Sequence, residues 1–393
     1  MVDVPANTST TEAFETDLVG NIGSYSGRLE TVGDHDWLRI TLEAGFNYRF
    51  FLSLQEIGLP TGASTLAIRD ATGVEVAFVA GGGAGLNSFL TFPPGATGTF
   101  YVDIGENGNN NRGAYSILFD RTFFGQTPAF LTAGPDNAAA GANQEVGGGA
   151  GNDFIDLSPN GGFGALGEQG DDQLFGSNGE FNILAGGLGN DTAFGFGGDD
   201  VIFGDAGDDR LFAGDGTDQL FGGDGFDDLD GGANNDFLFG GADTDVLDGG
   251  LGDDTLEGGT GDDILLGNAG ADLLVGGTGR DFLTGGADPD YFVFHSKGVT
   301  GKTAATRDVI TDFAPGVDDI GVSFIDAIMG KGGNQKFKFI GKQDFHDKAG
   351  ELHYKFVGAS TTIVEGDVNG DGKADFQIEL AGHLVLSAGD FVL

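Results

Sequence analysis

The chain has 393 residues, of which 61 are acidic, 18 are Lys or Arg and none is Cys. A formal net charge of −43 repels phosphate, which excludes nucleic acid and anionic membranes as partners and favours hard cations with oxygen ligands. The lack of Cys excludes disulfides, thiolate zinc sites and Cys nucleophiles, and no apolar run approaches the ~18 residues of a membrane-spanning helix.

The charge is unevenly spread. Residues 1–130 carry net −8, residues 131–194 net −9, residues 195–293 net −22 and residues 294–393 net −4. All nine Lys lie at or after Lys297. These shifts put boundaries near 130 and 294 and predict three regions. The opening stretch, MVDVPANTSTTEAF, has neither a basic nor an apolar segment of the Sec signal type, so export by that route is not expected.

Residues 12–120 read as eight strands between Gly-containing turns: SYSGRL, DWLRITL, NYRFFLSL, STLAIRD, VEVAFVA, SFLTF, TFYVDI and AYSILF. That spacing predicts a β-sandwich. The segments GDHDWLRITLEAG (33–45), LAIRDATG (66–73), TGTFYVDI (97–104) and GAYSIL (113–118) resemble the bacterial pre-peptidase C-terminal (PPC) domain. The resemblance implies a non-catalytic companion of secreted enzymes, some relatives binding matrix or polysaccharide. Asp34 and Asp36 read as turn residues, with metal ligation as the lesser reading. Trp37 and Tyr48 read as core rather than as a sugar platform.

A nine-residue period governs the middle of the chain. It runs without a gap from Gly195 to Val293, eleven units in all, with GGTGDDILL (258–266) a good example. The sixth place is always Asp: Asp200, Asp209, Asp218, Asp227, Asp236, Asp245, Asp254, Asp263, Asp272, Asp281 and Asp290. The eighth is always apolar, from Ile202 to Phe292. Upstream, units with Asp153, Asp172 and Asp191 keep the pattern with slips, and the unit 176–184 has Phe181 where Asp belongs. Glycines permit tight turns, and the trailing triplet makes a short strand with its central residue inward. Two units then form an 18-residue coil of a parallel β-roll, with Asp stacked on Asp at about 4.8 Å. At an effective dielectric of 20 each such pair of carboxylates repels by roughly 3–4 kcal/mol, so a folded ladder calls for cations between its rungs. Asp oxygens with Gly carbonyls suit Ca²⁺. The repeat resembles the RTX nonapeptide GGxGxDxUx. The resemblance implies several calcium ions held in the turns by these Asp and by carbonyls of adjacent coils.

In the last hundred residues, RDVITDFAPGVDDI (307–320), FKFIGKQDF (337–345), AGELHYKF (349–356), DVNGDGKADFQIEL (367–380) and the closing DFVL (390–393) resemble the C-terminal domain of serralysin-type secreted proteases. The resemblance implies a β cap on the roll and an uncleaved type I secretion signal. Asp367, Asn369, Asp371 and Asp375, with Gly372, begin like an EF-hand loop. The twelfth place is Ile378 where an EF-hand has Glu, so calcium in another frame and a plain polar turn stand as equal readings.

The zincin motif H-E-x-x-H is absent: none of His35, His295, His346, His353 and His383 precedes Glu. The expected fold is all-β: an N-terminal β-sandwich over 12–120, an RTX β-roll over 131–293 and a serralysin-type cap over 294–393. The expected function is that of a secreted, non-enzymatic calcium-binding protein, folded by calcium after type I export. An extracellular glycan or cell surface is its expected ligand, in adhesion, matrix association or host contact. The alternatives are an accessory or remnant of a serralysin-like metalloprotease, and a hydrolase with its site in 12–120.

Overall fold

The structure, a computed structural model, describes residues 146–158, 164–179, 181–295, 298, 300–328 and 335–393, and before residue 146 the backbone of individual strands together with Ile68. The chain divides into two compact units, Met1–Thr127 and Pro128–Leu393. Every described element is a strand except one short 3₁₀ helix, Ala388–Asp390.

The first unit contains β1 (Ala13–Glu15), β2 (Ile22–Leu29), β3 (His35–Leu42), β4 (Phe46–Leu54), β5 (Ser64–Asp70), β6 (Glu75–Ala80), β7 (Ser88–Phe92), β8 (Gly98–Glu106) and β9 (Gly113–Phe123). They form two sheets, in the orders β1-β3-β8-β5-β6 and β2-β9-β4-β7. Neighbours are antiparallel except β1 and β3. Strands β2 to β9 coincide with the eight segments legible in the sequence, and alternation such as that of STLAIRD seals Ile68 completely.

The second unit is a parallel β-roll with a capped end. Successive nonapeptides place their strands on alternate walls, so each strand pairs with the one two units on. Ile202 faces Leu220 and Leu238 faces Leu256 on one wall; Leu211 faces Leu229 and Leu247 faces Leu265 on the other. The step is 18 residues. Upstream it is 19: Ile155 faces Leu174, and Leu174 faces Ala193. The slips seen in the sequence are therefore one extra residue per coil, taken up in the turn without loss of register. In unit 176–184 the sixth place is filled by Asn182, one position later than a strict count gives. Its N–H donates to Asp200 Oδ1 at 2.7 Å, and Leu184 still reaches the core.

The core is narrow, with one fully buried side chain per unit between the walls, as at Leu220, Leu229, Leu238 and Leu247. At two positions per turn the backbone is left-handed, which glycine adopts freely. Asn and Asp take several of these places (Asp205, Asn234, Asp243, Asn268 and Asp288), and the exceptions are Glu168 at φ 75° and Phe196 at φ 73°, the ring of Phe196 stacking near Phe175 and Phe194.

Hydrogen bonding runs straight through residue 294. Tyr291–Val293 pairs with Asp319–Gly321, which pairs with Phe391–Val392. On the other wall Phe282–Ala287 pairs with Val309–Ile310, which pairs with Phe376–Ala381. From there the wall turns antiparallel through Thr361–Asp367 and Glu351–Val357. Phe292, Ile310, Ile320, Phe376 and Phe391 belong to one cluster with the roll leucines. The change to antiparallel pairing closes the parallel array, and Lys338–Phe339 forms the last strand of that wall.

A thin core makes each inward residue costly to shorten. Leu247→Ala should destabilise the calcium-loaded protein by about 2–5 kcal/mol. Leu251→Ala, at a side chain 62% exposed, should change stability by less than about 0.5 kcal/mol. Urea unfolding of both variants in excess calcium checks the difference.

Candidate metal centre

The sixth-place carboxylates form two ladders, one at each edge of the roll. One runs Asp153, Asp172, Asp191, Asp209, Asp227, Asp245, Asp263, Asp281; the other runs Asn182, Asp200, Asp218, Asp236, Asp254, Asp272, Asp290. All are buried, none more than 4% exposed. Each rung is oriented by the coil before it: Asp227 N–H donates to Asp245 Oδ1, and Asp245 N–H to Asp263 Oδ1, both at 2.9 Å. In the 19-residue coils the same bond joins Asp153 to Asp172 and Asp172 to Asp191, at 2.7 Å. All fourteen Asp named from the nonapeptide pattern are thus in the ladders.

The second oxygen of each carboxylate is the informative one. From Asp172 to Asp281, Oδ2 is buried with no hydrogen-bond donor among the described residues. An uncompensated buried carboxylate oxygen is costly, so a cation is the missing partner. The first residue of each unit packs against that oxygen. A Cβ built on Gly240 would fall 2.5 Å from Asp245 Oδ2 and 2.7 Å from the Gly258 carbonyl oxygen. On Gly231 the corresponding distances are 2.7 Å to Asp236 Oδ2 and 2.8 Å to the Gly249 oxygen. A side-chain carbon cannot approach oxygen so closely, so glycine is required there, and the Asp oxygen with backbone carbonyls of adjacent coils is a donor set that fits Ca²⁺. Among the described residues no three acidic or His side chains converge on one point, so backbone carbonyls must complete the coordination. Bound there, calcium would neutralise the ladder; the chain supplies the oriented oxygens and excludes water from them.

Burial pushes the ladder carboxyls well above the ordinary carboxylate range, and neighbouring rungs add to it, while the N–H bond from the preceding rung opposes it. The values rise to about 6 at Asp172, Asp218 and Asp254, about 7 at Asp191, Asp209, Asp227, Asp263, Asp281 and Asp290, and about 8 at Asp200, Asp236 and Asp245.

Two features escaped sequence reasoning. The exposed fifth place carries a second ladder running the opposite way: Asn190 N–H donates to Asp171 Oδ1, Asp208 N–H to Asn190 Oδ1, and Phe226 N–H to Asp208 Oδ1, at 3.0–3.1 Å. The Asx residues at this place were the available signal. The main ladders also extend past the repeats. Asp281 N–H donates to Asp308 Oδ1 at 3.1 Å, and Asp290 N–H to Asp318 Oδ1 at 3.2 Å. These last rungs are tied into the protein: Asp308 N–H donates to Thr300 Oγ1 at 3.1 Å, and Ala314 N–H donates to Asp318 Oδ2 at 2.7 Å.

The loop 367–375 is differently built. Asp367 accepts N–H bonds from Asn369, Gly370 and Gly372, and Asp375 accepts them from Val368 and Asn369 while pairing with Lys302 at 3.4 Å. Asn369 Oδ1 takes the Asp371 N–H, and Asp371 Oδ1 takes the Lys373 N–H. Its oxygens accept backbone N–H bonds, the pattern of a self-capped polar turn. Nearby, His353 places Nε2 2.9 Å from Glu365 and Nδ1 2.9 Å from the Gln343 carbonyl, both acceptors. Burial works against ionisation of Glu365, but hydrogen bonds from His353 and Lys355 prevail and hold its carboxyl at about 2. Asp34 lies outside the described residues, as do the side chains of Asp36, Trp37 and Tyr48.

The raised ladder values have a definite sign. The folded, metal-free roll holds protons that the unfolded chain has released, so its stability is greatest at low pH and is lost as pH rises through about 6–8. Metal-free protein should gain β signal in circular dichroism between pH 8.5 and 5. The calcium midpoint should fall as pH rises through the same window, because protons compete for the oxygens. At fixed pH, Asp245→Ala should raise the calcium midpoint and lower cooperativity. Asp208→Ala loses one exposed hydrogen bond and should cost only about 0.5–1.5 kcal/mol with the calcium midpoint nearly unmoved. Parallel calcium titrations check both.

Comparison with known proteins agrees with this chemistry. The family model of the RTX calcium-binding nonapeptide repeat matches four times, at residues 179–211, 194–229, 221–256 and 257–292. A search of curated proteins gives no match. Among solved structures, the AlgE6R2 subunit of the Azotobacter vinelandii mannuronan C5-epimerase is 26% identical, over 41% of this chain and 89% of that one, with a TM-score of 0.24. The AlgE6R3 subunit of that enzyme is 25% identical, over 41% and 78%, at 0.22. The pre-peptidase C-terminal domain of collagenase from Bacillus anthracis is 16% identical, over 29% and 100%, at 0.22. The ladders are built of RTX calcium-binding repeats, and their cofactor is calcium, several ions to a chain.

Proposed function

We infer that the chain is a secreted protein whose roll is assembled by extracellular calcium, and that it works outside the cell as a non-enzymatic binding module. The observation that carries this is the run of buried carboxylate oxygens without donors, from Asp172 to Asp281. A chain with 61 acids and such ladders is self-repelling where calcium is scarce and folds where it is plentiful. Extracellular calcium modules work at about 10⁻⁴–10⁻³ M, far above cytosolic levels, so the same chain is expanded inside and folded outside. An expanded chain with no Cys to oxidise suits export through a type I apparatus, with residues 294–393 acting as a serralysin-type cap and secretion signal. In this reading the PPC-like unit meets an extracellular glycan or cell surface. Among the described residues no helix is long and apolar enough to cross a membrane.

Purified full-length protein in chelator should lose most of the roll's β signal in circular dichroism, and recover it steeply in millimolar calcium. An identical spectrum in both conditions would falsify calcium-coupled folding. Cells carrying a type I exporter should release the chain to the medium, and cells without one should retain it. A glycan and cell-surface binding screen in calcium, run beside casein and ester hydrolysis, separates a binding module from an enzyme.

A further inference from the structure

The second edge opens on a rung built differently from the rest. Leu184 faces Ile202 on that wall, and two places before them stand Asn182 and Asp200. Seven residues, 176–182, lie between Phe175 and Ile183, whereas six, 195–200, lie between their counterparts Phe194 and Val201. The turn before Asn182 is one residue longer than a regular one.

The extra length lets Ser177 close on the rung. Ser177 N–H donates to Asn182 Oδ1 at 2.6 Å, Ser177 Oγ lies 3.3 Å from the same oxygen, and Asn182 Nδ2 donates to Ser177 Oγ at 3.2 Å. The hydroxyl can donate to Oδ1 while it accepts from Nδ2, so both ends of the amide are bonded within the turn. The Ser177 N–H also fixes which way the amide points, since the reversed amide would set two donors against each other. Ser177 is 2% exposed and Asn182 is fully buried. Asn182 keeps the structural half of a rung, donating its N–H to Asp200 Oδ1 at 2.7 Å, without the ionic half.

The rungs that follow are in another state. Oδ2 of Asp200, Asp218, Asp236, Asp254 and Asp272 is buried with no donor among the described residues. A buried carboxylate in that state calls for a cation; a neutral amide bonded at both ends does not. At the far end of the same edge Asp318 Oδ2 again has a protein donor, the Ala314 N–H at 2.7 Å.

We propose that Ser177 and Asn182 form a metal-free clasp that starts the second edge, so that calcium enters this edge only from Asp200 onward, while the first edge takes it from Asp172. The inference rests on the calcium reading of the ladders and adds where one of them stops. The clasp does with hydrogen bonds what an ion does at the other rungs, and the coil that holds Leu174 and Leu184 depends on calcium at one edge only.

The test is calcium per chain, by equilibrium dialysis and elemental analysis of the full-length protein at saturating calcium. Asn182→Ala should bind as many ions as the unaltered protein, with nearly the same calcium midpoint. Asp236→Ala, on the same edge, should bind fewer and need more calcium to fold. Calcium anomalous scattering from crystals of the unaltered protein should place ions along the second edge from Asp200 onward and none within about 2.6 Å of Asn182 Oδ1. That measurement decides alone should Asn182→Ala fail to fold. Loss of an ion in Asn182→Ala, or an ion coordinated by Asn182 Oδ1, overturns the clasp and leaves the calcium reading standing. No bound calcium in the unaltered protein overturns both.

Discussion

Carboxylates stacked in a dry place set the terms for the roll. Sixth-place Asp such as Asp245 give one oxygen to the backbone of the coil before and keep the other buried without a donor among the described residues. The first contact fixes the spacing of coils, and the second creates a charge that the protein itself does not compensate. Hydrophobic burial is too sparse to override that charge, with one inward side chain per nonapeptide. Calcium therefore acts as a structural component, and the chain's acidity is the form in which it is recruited.

The ends of the ladders are handled by different means. Asp308 and Asp318 keep the backbone contact of a rung, and at Asp318 the second oxygen accepts the Ala314 N–H, so that edge ends on a carboxylate with a donor. Beyond them the wall turns antiparallel, and Phe292, Phe376 and Phe391 provide the bulk that the nonapeptides lack. The 3₁₀ turn at Ala388–Asp390 locks this region: Asp390 accepts N–H bonds from Gly316 and Ser387. The last residues of the chain are thus part of the cap's core as well as its end.

Much of this was legible in the sequence, because a two-place signal repeated in phase is hard to produce otherwise. Asp in sixth place and Leu in eighth place gave both ladders and the core. What period counting did not show were departures that geometry absorbs. Coils of 19 residues keep their register because the extra residue sits in the turn, so Asn182 fills a rung one position later than a strict count assigns. Asp308 and Asp318 were hidden because the segments between rungs there, 27 and 28 residues long, do not carry the Gly-rich nonapeptide pattern. The loop at Asp367 shows the converse, where a metal-like spacing resolves into carboxylates facing amides.

The alternation of walls carries a parity rule. A strand on one wall is always followed by a strand on the other, and the cap receives them at two distinct places, Val309–Ile310 on one wall and Asp319–Gly321 on the other. Gain or loss of eighteen residues adds or removes one coil and leaves both docking places matched. Gain or loss of nine within the array also leaves the last two strands docked, because they directly precede the cap, but it moves every upstream strand to the opposite wall. The number of nonapeptides thus decides, by being odd or even, on which wall the first strand of the roll lies.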